Sequence, residues 1–122
     1  VNGRGTMKIL VVDDDLHIQR LYKEELTEEG YEVVVASNGK EAMDMFEKEN
    51  PDLVTLDIRL PDVDGIHLLR QMKEKRPKLP IIMSTAYDYR NDFSVWASEA
   101  YIVKSSDLAE MKSMIRKLLG KE

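Results

Sequence analysis

The sequence predicts an α/β domain, a doubly wound sheet of five parallel strands in the spatial order 2-1-3-4-5 with helices on both faces. Three observations predict it. Short apolar runs and helical patterns alternate five times along the 122 residues, which implies βα units joined by right-handed crossovers. The apolar runs are continuous rather than alternating, as in strands covered on both faces. Each run ends near a polar residue, and in open α/β sheets ligands bind at the carboxyl ends of the strands.

Met7 to Val12 is the first strand, stopped by Asp13, Asp14 and Asp15. An Asp at the start of the following helix can cap its free N–H groups. Ile18, Leu21, Tyr22, Glu25 and Leu26 mark the inner stripe of that helix, and Gly30 ends it. Tyr31 to Ala36 is the second strand. After the turn Ser37-Asn38-Gly39 comes a helix with Ala42, Met43 and Phe46 inward, finishing before Asn50-Pro51. Leu53 to Leu56 leads to Asp57 as the third strand. Pro61 and Gly65 punctuate the loop after it, and Gly65 to about Lys75 forms the third helix, with Ile66, Leu69 and Met72 on one side. Pro80 to Thr85 is the fourth strand. Phe93, Val95, Trp96 and Ala97 suggest a short fourth helix. Ala100 to Val103 is the fifth strand, ending at Lys104. The last helix carries Leu108, Met111, Ile115 and Leu118 at helical spacing, with Ser106 or Asp107 as its natural N-cap. The count fits the flavodoxin-like strand order, whose switch point lies between strands one and three.

Composition removes several function classes. A net charge of −5 argues against a broad nucleic-acid surface, which needs a basic patch. The absence of cysteine excludes disulfides and thiolate metal sites. The apolar runs are too short to span a membrane, and a cytoplasmic location is expected. Residues 1–6 have no fold pattern and read as a leader ahead of Met7, the natural start.

The strand ends gather a constellation on one edge of the sheet: Asp13 and Asp14, Asp57, Thr85 and Lys104. Three adjacent carboxylates repel, and a hard divalent cation such as Mg2+ relieves that repulsion. Asp57 could then act as a nucleophile and carry an acyl phosphate. Phosphoryl transfer needs charge neutralisation and positioning, which Mg2+, Lys104 and the Thr85 hydroxyl would supply.

With these motifs the sequence resembles response-regulator receiver domains of two-component signalling. The resemblance rests on Val-Val-Asp-Asp-Asp at 11–15, Leu-Asp-Ile-Arg-Leu-Pro-Asp-Val-Asp-Gly at 56–65, Ser-Thr-Ala at 84–86 and Tyr-Ile-Val-Lys at 101–104. It makes residues 7–119 the receiver domain and 120–122 a tail. It implies Asp57 as phosphoacceptor, and Asp13, Asp14, Asp57 and the Arg59 carbonyl as Mg2+ ligands. Thr85, Ala86 and Lys104 would bind the phosphoryl group, with Tyr101 as the aromatic switch. The implied partners are a histidine kinase or histidine phosphotransfer protein and a downstream effector, with no direct nucleic-acid or membrane contact. The implied role is regulatory rather than enzymatic, a phosphoacceptor that assists its own phosphorylation and dephosphorylation. It signals through the face of the fourth helix, the fifth strand and the fifth, last helix. Arg59 and Tyr87 stand two positions after Asp57 and Thr85, and are expected to obstruct hydrolytic water and prolong the phosphoryl's lifetime. The family's usual Gly-Ala before strand five and Pro after the lysine are replaced by Glu99-Ala100 and Ser105. The segment before Tyr101 is also a few residues short, so the fourth helix is expected to be short or partly disordered.

Two other classes stay open. Asp13-Asp14-Asp15 mimics the Asp-x-Asp start of haloacid-dehalogenase-like phosphatases, with Asp13 as nucleophile. A receiver-like interaction module that is never phosphorylated is the other. Taken singly, Lys104 is a surface lysine, Thr85 a turn residue, and Tyr101 and Trp96 packing. His17 and His67 have no ligand-spaced partner and read as surface or packing residues. Glu24, Glu25, Glu28 and Glu29 read as a solvated face, on the helix where the resemblance places kinase docking.

Overall fold

A computed structural model describes residues 6–85, 100–103 and 108–120. The chain runs β1 (Lys8–Val12), α1 (Leu16–Glu28), β2 (Glu32–Ala36), α2 (Gly39–Glu49), β3 (Leu53–Leu56), α3 (Gly65–Lys75), β4 (Ile81–Thr85), β5 (Ala100–Val103) and α4 (Ala109–Leu118). The strands pair in parallel in the order β2-β1-β3-β4-β5, a flavodoxin-like arrangement. The fourth helix expected around Phe93 to Ala97 lies outside the described residues, so α4 is the expected last helix.

The apolar runs are continuous because each strand feeds two cores. In β1, Leu10 and Val12 pack with Ala42 and Phe46 of α2 and with Leu68, Leu69 and Met72 of α3. Ile9 and Val11 point the other way, towards Tyr22 and Leu26 of α1 and Met111 and Ile115 of α4. Each such side chain contributes about 1.5–3 kcal/mol by leaving water. The methionines Met72, Met83 and Met111 are core residues.

Helix ends follow local chemistry. The Asp15 carboxylate caps α1 by accepting from the His17 and Ile18 N–H groups. At the other end Gly30 takes φ +99°. The Gly30 N–H donates to the Thr27 carbonyl and the Tyr31 N–H to the Leu26 carbonyl, so the chain reverses while satisfying two helix-end acceptors. Tyr31 and Leu26 then share the α1 core. Asn38 caps α2, and Asn50 closes it in the left-handed region at φ 48°. The helix α4 begins with Leu108 at the cap position. Ser106 and Asp107, expected to cap it, lie outside the described residues.

The structure adds a polar residue to the stripe expected on α1. The buried line of α1 is Gln19, Tyr22 and Leu26, with Ile18, Leu21 and Glu25 on its flanks. Ile18 and Leu21 pack half-buried against the same core as Tyr22 and Leu26, and two polar groups on the inner face find partners inside. Gln19 bonds the β1–α1 and β2–α2 turns, and the Tyr22 hydroxyl lies 2.7 Å from Ser84 Oγ in β4. The acidic face is also not wholly solvated. Glu25 pairs with Lys112 at 2.6 Å and Glu29 with Arg116 at 3.2 Å, tying α1 to α4. Partly exposed pairs of this kind are screened by solvent, so they orient the two helices more than they stabilise the fold.

Candidate functional site

The register of the sheet builds the site. Val12 of β1 lies opposite Leu56 of β3, so the next residues, Asp13 and Asp57, emerge side by side at the carboxyl edge. The Asp57 N–H still donates to the Val12 carbonyl at 3.0 Å, and the Asp13 N–H to the Ala36 carbonyl at 3.0 Å. Both residues are therefore held by the sheet, and both are buried, at 2% and 6% exposure. Asp14 follows in the turn and is exposed. Carboxylate oxygens of Asp13, Asp14 and Asp57 all lie within 4.8 Å of one another. Such an oxygen-only acidic set suits a hard divalent cation.

Backbone donors fix the orientation of these side chains. The Asp15 N–H donates to Asp13 Oδ1 at 2.9 Å, and the Arg59 N–H to Asp57 Oδ1 at 3.3 Å. The loop after Asp57 is anchored three times. Arg59 and Asp64 pair through their backbones in an isolated antiparallel bridge, and the Gly65 N–H donates to the Ile58 carbonyl at 2.7 Å. The Asp62 carboxylate reaches across to α2, accepting from the Gly39 N–H at 2.8 Å and the Lys40 N–H at 3.1 Å. It sits on a helix N-terminus, where backbone donors and the helix dipole favour negative charge.

The Gly39 N–H bond, followed by that from Lys40, holds the Asp62 carboxyl below its ordinary value of 3.8. A depressed folded-state value means that this clamp stabilises the fold above the ordinary value and is lost as pH falls through the depressed one. Acid unfolding should therefore be less steep below pH 3.8 in Asp62→Asn than in the parent. Parallel acid titrations followed by circular dichroism check this. Superimposable curves would mean that the clamp is inert.

The structure brings Asp13, Asp14 and Asp57 together, with Arg59 two residues beyond Asp57 in the anchored loop. Thr85 ends β4 and Tyr101 lies within β5, opposite Met83. Of Thr85 and Tyr101 only the backbone is described, and Ala86, Tyr87 and Lys104, with the roles expected of them, lie outside the described residues. His17 and His67 are exposed. Asp15 uses its carboxylate to cap α1, and the clustered carboxylates are those of Asp13, Asp14 and Asp57. Sequence reasoning missed Gln19, Asp62 and the Tyr22–Ser84 pair. A Gln three and seven residues ahead of buried Tyr22 and Leu26 was the available signal for the first.

The family profile described as the response regulator receiver domain matches residues 9–116. The chain is 46% identical to response regulator protein TrrA from Thermotoga maritima, solved in complex with Mg2+-BeF. That match has a TM-score of 0.89 and covers 93% of this chain and 99% of that one. TrrA has also been solved in complex with the histidine kinase ThkA. Sporulation initiation phosphotransferase F of Bacillus subtilis is 36% identical over 115 residues, 92% of this chain and 93% of that protein. The probable transcriptional regulator ycf27 of Porphyra purpurea is 41% identical over 116 residues, and there the match covers 92% of this chain. The chain spans 47% of that relative's length, about half. Profile, relatives and fold agree with the paired acidic strand ends, and the chain belongs to the response regulator receiver domain family.

Proposed function

We propose that the chain is a phosphorylation-dependent switch in which Asp57 accepts a phosphoryl group from a histidine kinase or histidine phosphotransfer protein. The convergence of the Asp13, Asp14 and Asp57 carboxylates within 4.8 Å carries this reading. Those three residues and the Arg59 carbonyl would hold Mg2+, and its charge would neutralise the approaching phosphoryl oxygens. An Asp57 carboxylate oxygen attacks phosphorus. The new O–P bond replaces the donor's P–N bond, and the donor imidazole leaves with its electron pair and takes up a proton. Hydrogen bonds from the sheet and loop hold Asp57 in place, so little reorganisation is needed at the moment of attack. Thr85 and Lys104 are assigned to the phosphoryl oxygens, and Tyr101 to the response that reaches the downstream effector. Hydrolysis of the acyl phosphate, assisted by the same residues, resets the switch.

Acetyl phosphate tests this without a kinase. With Mg2+ the chain should gain one acid-stable, base-labile phosphoryl group that maps to Asp57. Chelating the metal should suppress labelling, and Asp57→Ala should remain unlabelled. A label on Asp13 would instead establish the phosphatase chemistry. A chain that stays unlabelled with Mg2+ and donor present would be an interaction module.

A further inference from the structure

Gln19 is 8% exposed on the inner face of α1, where a bare polar side chain would be costly. Its Nε2 donates to the Asp13 carbonyl at 2.6 Å and to Ser37 Oγ at 2.8 Å. The Asp13 carbonyl belongs to the single peptide group that joins Asp13 to Asp14. Rotation about the bonds flanking that group sets the angle between the two carboxylates. The preceding peptide is already fixed, since the Asp13 N–H donates to Ala36 in β2. Beyond it the chain leaves the sheet, and the Gln19 amide takes over the restraint one turn into α1. Its second bond, to Ser37, braces the same amide against the turn after β2.

We infer that Gln19 is a positioning residue for the metal-binding acidic pair. It holds the Asp13–Asp14 peptide so that both carboxylates face Asp57 before a cation arrives. The inference rests on the proposed Mg2+ site and adds to it a residue with no carboxylate of its own. Partners one shell out from a metal's ligands commonly change affinity by about 10–100-fold when removed. An amide that orients two ligands through one peptide belongs in that range.

Gln19→Met keeps the length of the side chain and removes its donor. Its Mg2+ dissociation constant, measured by calorimetry on the whole chain, should rise about tenfold or more. Tyr22→Phe, one turn along the same buried face, loses its hydroxyl bond to Ser84 and serves as the control. It should lower the melting temperature while leaving Mg2+ affinity within about twofold, the spread expected of an independent site. Unchanged affinity in folded Gln19→Met overturns the inference, and so does equal weakening in both variants. If Gln19→Met does not fold, the Gln19 side-chain amide signal of the parent decides. A shift with the Mg2+ titration midpoint supports the role, and a signal that never moves overturns it. Absence of Mg2+ binding by the parent would overturn the metal site itself, and this inference with it. Full-strength binding by Gln19→Met overturns this inference alone.

Discussion

Gly65→Ala is expected to cost more than about 3 kcal/mol, near the upper end for overpacking. A Cβ at Gly65 would collide with the Asp57 carbonyl oxygen and lie 2.7 Å from the Ile58 Cα. These are backbone atoms between a central strand and a helix start, with no flexible side chain to give way. The strand and α3 must separate, which breaks the Gly65–Ile58 hydrogen bond and displaces the peptide that carries Asp57. Stability and Mg2+ affinity should therefore fall together. Gly30→Ala makes the contrast. Nothing lies within 4 Å of a Cβ there, and its cost comes only from φ +99°, about 1–2 kcal/mol. Urea unfolding of the two variants measures the difference. A Gly65→Ala midpoint equal to that of Gly30→Ala would refute the close approach as a constraint.

Asp57→Asn should separate the fold from the chemistry. In the parent, saturating Mg2+ should raise stability, by about 2.7 kcal/mol at a hundred times the dissociation constant. For a chain of this size that is on the order of 10 °C in melting temperature. The variant keeps an acceptor for the Arg59 N–H but removes one of three clustered charges. Without metal it should melt higher than the parent, by on the order of 1 kcal/mol, because like charges at such distances repel. With Mg2+ the ranking should reverse, since the site has lost an anionic ligand. Differential scanning calorimetry with and without Mg2+ reads both signs. A parent whose melting ignores Mg2+ would remove the metal site from the proposal.

Much of this was legible in the chain. Continuous apolar runs such as Ile9 to Val12 announce strands covered on both faces, and parallel topology then puts Asp13 beside Asp57. Gly30, Asn38 and Asn50 mark helix ends through local backbone chemistry, so a short window suffices to read them. What escaped depends on residues far apart. The polar groups buried on α1 are explained by Gln19 reaching Ser37 and by Tyr22 reaching Ser84, 62 positions away. The pairing of Glu25 with Lys112 spans 87 positions. Asp62 looks like an ordinary turn residue until its loop is seen lying on α2. Periodicity finds an apolar stripe, but a polar residue within it is explained only by its distant partner.

The interior place of β1 has a consequence for how the molecule comes into being. The first strand has neighbours on both sides, and both are supplied by the stretch of chain that follows it, through Leu56. A chain emerging from the ribosome amino end first can therefore pair β1 with β2 and β3 before β4 exists. All three clustered carboxylates lie within that early-made portion, and the residues assigned to the response come after it. Synthesis lays down the phosphate-receiving centre first and the responding strands last. A chain arrested after α3 already holds every acidic group of the site.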